Sequence, residues 1–204
     1  MQEAMFINPG REALLSAPAL RSLGQLNRRF LDLVCAEGGA QEEWSLPVPS
    51  ALRSRLLCLG GARCDALAQS PYALFDIRFF DDPLWEAALQ SLSQWRVEDV
   101  PGSYSRSAEF LQLALFYAWH LAQTQPLSAP LILGMSEHIA RALAKVTLDR
   151  LPGLMYTHRH HLGLRWPNCL SFWHPLTAAQ PGSPAFRKAQ LFGFQVAAAV
   201  RISS

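Results

Sequence analysis

Apolar residues recur every three to four positions in several windows of this chain, separated by short polar or breaker-rich stretches. Over Arg21–Ala36 the apolar positions are Leu23, Leu26, Phe30, Leu33 and Val34; over Ser107–Gln123 they are Phe110, Leu113, Phe116, Tyr117 and Leu121. Each set lies along one face of a helix. Pro47, Pro49, Pro126 and Pro130 stop these helices and mark loops over Glu37–Pro49 and Thr124–Gly134. Further helices are predicted from Ser50 and Ser136. In the second, Ser136 is an N-cap, Glu137 sits in the first turn, and Ile139, Leu143 and Val146 line one face. In the first, Leu52, Leu56, Leu57 and Leu59 form the face and Gly60-Gly61 the end. Shorter helices are predicted over 62–69 and 148–158, and aromatic ones over 83–94 and 170–179. A last helix covers 184–201. Sustained apolar alternation is missing, so the pattern predicts an all-α fold with short extended segments near 73–79 and 162–166.

The elements come twice. Residues 26–89 set against 113–176 at a constant shift of 87 bring apolar positions together without a gap: Leu26 with Leu113, Phe30 with Tyr117, Leu52 with Ile139, Leu56 with Leu143, Leu67 with Leu154. The predicted organisation is an N-terminal helical repeat over 1–96 with its core at 21–95, a linker over 97–106, and a second repeat plus terminal helix over 107–204. Two such units would pack as a pseudo-dimer, because each alone buries too little surface. The same register aligns Arg78 with Arg165 and Trp85 with Phe172. They are read as repeat-equivalent structural or interface residues.

Composition narrows the partners. Hydrophobic residues make up 50% of the chain and charged ones 17%, which is a globular balance. A net charge of +2 supplies no strong field for nucleic acid or anionic lipid, so DNA contact would be weak or dependent on a partner. The longest apolar run, Leu111–Ala122, is too short to span a bilayer, which takes about 20 residues. The first residues lack the apolar core of a secretory signal, so the expected location is the cytoplasm, with no membrane insertion. Cys35, Cys58, Cys64 and Cys169 then read as reduced, buried thiols.

Candidate chemistry is sparse. His158, His160 and His161 cluster, yet no Cys or carboxylate joins them at ligand spacing, and a solvated helix end explains them better than a metal site. Cys169 and His174 lack an orienting partner. Asp81-Asp82-Pro83 is a helix-entry signal rather than an acid pair. Phosphate-loop, dinucleotide, nucleophile-elbow and zinc-protease motifs do not occur. The reading is a non-enzymatic chain without catalytic residues, metal or cofactor. Arg28, Arg29, Arg53, Arg55, Arg141 and Arg150 are the candidate contacts to nucleic acid or a protein partner. Arg78 and Arg165 are read as carbonyl- or carboxylate-binding arginines packed on rings, with a binding role as the alternative.

The stretch LILGMSEHIARALAKVTLDRLPGLMYTHRHHLGLRW, with the preceding helix ending Ala118-Trp119-His120-Leu121, resembles the flagellar transcriptional regulator FlhD family over residues 110–166. Residues 26–89 resemble it only through that second copy. The resemblance implies an all-α fold, helix-mediated pairing and transcriptional regulation with a partner subunit, FlhC. FlhD is a single short unit, whereas this chain carries two. Beyond Trp166, Trp173-His174-Pro175 makes a poor recognition helix. A helical adaptor in a motility or secretion assembly is the alternative, and an enzyme built on the histidines is the third reading.

Overall fold

The computed structural model describes residues 15–36, 48–95 and 105–202. The fold is all-α, with one minor two-stranded sheet. Helix α1 covers Ala17–Ala36, α2 Ser50–Leu57, α3 Gly61–Ala68 and α4 Asp82–Ser91, with strand β1 at Phe75–Asp76 between α3 and α4. After the interval come α5 (Arg106–Thr124), α6 (Ala129–Leu133) and α7 (Glu137–Ala144). A 3-10 turn at Leu148–Arg150 leads into α8 (Leu151–His158), followed by β2 (Gly163–Leu164), α9 (Leu170–Ala178) and α10 (Pro184–Ile202).

Local chemistry sets most boundaries. Ser105, Ser136 and Asp81 each accept a hydrogen bond from the amide three residues on, capping α5, α7 and α4. Pro83 occupies the first turn of α4, where its missing N–H costs nothing. Four expectations need correction. Gly60 does not end α2; extended at ψ 160°, it starts α3, and α2 already stops at Leu57. Leu57 points to solvent, 55% exposed. The second proline-rich loop contains α6, because Pro130 fits a first turn and Gly134, at φ +87°, ends it in the left-handed region. The linker expectation overlaps α5 at Arg106, and its 97–104 part lies outside the described residues, as do most of the loop at 37–49 and the N-terminal residues 1–14.

The two halves share one core. Phe30 of α1, Phe75 of β1 and Phe110 of α5 meet with ring centroids 5.1–6.0 Å apart. Tyr72 packs edge-on to Trp166 and Phe194, and its hydroxyl donates to the Gln190 carbonyl at 2.9 Å, which ties α10 to the centre. Asn27, buried within the apolar stripe of α1, donates to the carbonyls of Ala68, Ser70 and Tyr72 and accepts from the Leu74 amide. One side chain thereby holds the turn from α3 into β1 and satisfies four buried backbone groups.

β1 and β2 pair antiparallel, Phe75 with Leu164 and Asp76 with Gly163. The turns that leave the two strands are alike. Arg78 and Trp166 both take positive φ, 56° and 52°. The Asp81 amide donates to the Arg78 carbonyl and the Cys169 amide to the Trp166 carbonyl, both at 3.0 Å. The Trp85 indole donates to the Arg78 carbonyl and the Trp173 indole to the Trp166 carbonyl. These matches fall at a shift of 88, not 87. Arg78 therefore shares its backbone position with Trp166 rather than Arg165, and Trp85 shares its own with Trp173 rather than Phe172. α2 and α7 still match at 87 at both ends. α3 and α8 stand 90 residues apart, so no single shift relates the two halves. At a shift of 88, each strand residue pairs with its neighbour's counterpart, the register of a self-complementary junction.

Candidate functional site

Arg165 is almost wholly buried, and its guanidinium donates to the Ile132 carbonyl at 2.6 Å and the Ala73 carbonyl at 3.3 Å. Its guanidinium also lies over the Trp166 ring, 4.3 Å from the centroid. Arg165 is thus an internal joint between β1, β2 and α6. Asp76 lies nearby, and burial raises its carboxyl above the ordinary range, opposed by the amides of Phe79, Ile77 and Arg78 and by Arg165. A methyl group on Gly134 would stand 2.6 Å from an Arg165 nitrogen, at a backbone angle that side chains avoid. Gly134→Ala is expected to destabilise the fold by roughly 1–3 kcal/mol in chemical denaturation.

Arg78 is half-exposed and pairs with Asp81. Trp85 and Phe172 are fully buried. Trp85 stacks between Phe79 (5.5 Å, 8° between planes) and His158 (4.1 Å, 29°). His158 is fully buried, and neither ring nitrogen has a hydrogen-bond partner among the described residues. This corrects the expectation of a solvated helix end: α8 turns His158 inward onto the tryptophan of the other half. Burial pushes its pKa down to about 4, with His161 and Arg78 adding to the effect. The His161 ring is held below its usual value by burial first, then by Arg78 and His160. Among the described residues no three His, Cys, Asp or Glu side chains converge as a metal site. The thiols divide: Cys64 is buried, Cys35 and Cys169 partly so, and Cys58 is exposed, contrary to expectation. Burial pushes the Cys35 and Cys64 thiols up, which leaves them poor nucleophiles.

The six candidate contact arginines do not form one face. Arg150 donates to the carbonyls of Leu92 and Trp95, closing the chain after α4 against α8, where Gly153 leaves room for the Trp95 ring. Arg141 pairs with Glu137 one turn away. Arg53 and Arg55 lie on α2, Arg53 half-buried and Arg55 exposed. Arg28 is held by Asp32 and Asp65. Arg29 is exposed on α1, and no carboxylate among the described residues pairs with it.

No protein-family model, curated protein or solved structure matches this chain. Its own geometry therefore defines the site.

Arg29 lines an open groove of about 810 Å³ that runs beside α1 and reaches α3 and α5. Leu26, Leu113 and Tyr117 give it an apolar side, and Arg21, Arg29 and the Arg28–Asp65 pair a charged one. The Tyr117 hydroxyl donates to the Ala19 carbonyl, bracing α5 on α1. Gly24 permits close approach of α3, since a methyl there would touch the Gln69 amide at 3.1 Å. A smaller hollow of about 280 Å³ continues past Arg29 and Leu113 to Arg106, Glu109 and Phe110. Sequence reasoning singled out Arg28 and Arg29 but passed over Arg21 and treated Leu113 as core.

Proposed function

We propose that this chain is a non-enzymatic regulatory protein resembling the FlhD family, which acts by binding a partner protein. The observation that carries the reading is the open groove shared by both halves, with an apolar side and two arginines that pair with no carboxylate among the described residues. The chain's all-α fold and twinned strand–turn–helix segments support kinship with a paired helical unit, one chain supplying both members. DNA contact would come through the partner, because the candidate arginines are dispersed and several are already bonded. No helix among the described residues is long and apolar enough to cross a membrane. A cytoplasmic site of action is part of the proposal. The adaptor reading uses the same groove and differs only in what the partner does.

A photo-cross-linker at Leu113, 39% exposed, tests this in cells that make the protein. The expected result is one defined adduct, identified by mass spectrometry and reduced severalfold by Arg29→Glu. A linker at Leu127, 83% exposed and outside the groove, should give none. Equal adducts from both positions would remove the groove from the account.

A further inference from the structure

The partner reading leaves open what chemistry the groove selects. We infer that it seats an acidic amphipathic helix of the partner, with carboxylates two turns apart flanking an apolar patch. This rests on the proposed partner-binding role and adds the kind of segment bound.

Charge sets the first constraint on the occupant. Arg28 is already held by Asp32 and Asp65, which leaves Arg21 and Arg29 as the groove's cations without a carboxylate among the described residues. They lie eight residues apart on α1, so their backbones are about 12 Å apart along the axis. Acids seven or eight residues apart on a second helix span the same distance. Residues three and four beyond the first acid would then face Leu26 and Leu113. The shape agrees. The groove is walled by helices α1, α3 and α5, and a helix laid along packed helices fits such a furrow through its ridges. Nucleic acid fits less well. Leu26, Leu113 and Tyr117 make up one side of the groove, and that apolar side offers a phosphate backbone nothing while it can bury leucines of a helix.

The test is a fluorescence-anisotropy titration of the full chain with a labelled helical peptide of about 18 residues, long enough to hold partial helicity alone. It carries acids at the two spaced positions and leucines between them. A scrambled peptide of the same composition and a duplex DNA serve as comparators. The inference expects saturable binding of the ordered peptide, weakened about tenfold or more by Arg21→Glu with Arg29→Glu and by raised salt. Both arginines are exposed, so circular dichroism should show the doubly substituted chain folded. Equal binding of the scrambled peptide, or preferential binding of DNA displaced by the same substitutions, would overturn it. If the peptide fails while the Leu113 adduct persists and still depends on Arg29, the groove binds a partner of other chemistry and only this inference falls. If the adduct fails too, the partner reading falls with it.

Discussion

Replacing Arg165 by alanine is expected to lower the stability of the fold by about 2–3 kcal/mol, the loss of hydrogen bonds from a buried charged donor. The guanidinium donates to carbonyls from two separate segments, Ala73 before β1 and Ile132 in α6. Its removal leaves these acceptors without that donor, opens space beside Gly134 and takes away the Arg165 charge that opposes the rise of the Asp76 carboxyl. Arg165→Lys should recover only part of the loss, because an ammonium cannot span both carbonyls with a planar fork. Urea unfolding followed by circular dichroism measures both variants. A loss below about 1 kcal/mol for alanine, the range of an ordinary surface change, would show that the joint contributes little.

The second large effect is on pH dependence. His158 has a folded pKa near 4, below its ordinary 6.5. The folded form therefore resists a proton that the unfolded chain accepts. This contribution is fully present above about pH 6.5, is lost as pH falls toward 4, and levels off below that. At 1.36 kcal/mol per pH unit, the whole window is worth about 3 kcal/mol. The facing titratable and charged groups are His161, Arg78 and Asp81. His161 shifts the same way and adds to the slope, while Asp76, with its raised carboxyl, contributes stability that is lost as pH rises and so works against it. His158→Phe keeps a ring against Trp85 and removes both partnerless nitrogens. The variant should match or exceed the parent at neutral pH and lose much less stability between pH 6.5 and 4. Parallel pH profiles for the two proteins would refute the assignment.

Much of the fold was legible because helical periodicity is a local property. Every helix position except that of α6 followed from apolar spacing, prolines and caps, and the short extended segments at 73–79 and 162–166 contain β1 and β2. The register of the twinned segments was not legible. An ungapped alignment of Ile77-Arg78-Phe79 on Leu164-Arg165-Trp166 satisfies hydropathy, yet the backbone repeats one residue later. Hydropathy cannot distinguish a shift of 87 from one of 88 when apolar side chains flank the arginine on both sides. The arginines were harder still. Arg150, Arg165 and Arg29 look alike in sequence, but one binds carbonyls at a chain end, one joins three segments internally, and one faces solvent. Those fates depend on contacts made across 33 to 92 residues of chain. His158 misled for the same reason, since its neighbour Trp85 arrives from the other half. Asn27 was the overlooked clue, a polar residue in an apolar stripe whose side chain bonds four backbone groups.

The central claim is that a partner protein is bound through the groove beside α1 and α5. Hydroxyl-radical footprinting of the complex with the partner identified by cross-linking tests it most directly. The account predicts that partner binding shields Leu113 from oxidation while the exposed Leu127 and Leu191 keep their free-chain rates. Shielding of Leu191 or Leu127 with Leu113 unchanged would place the partner elsewhere and contradict it.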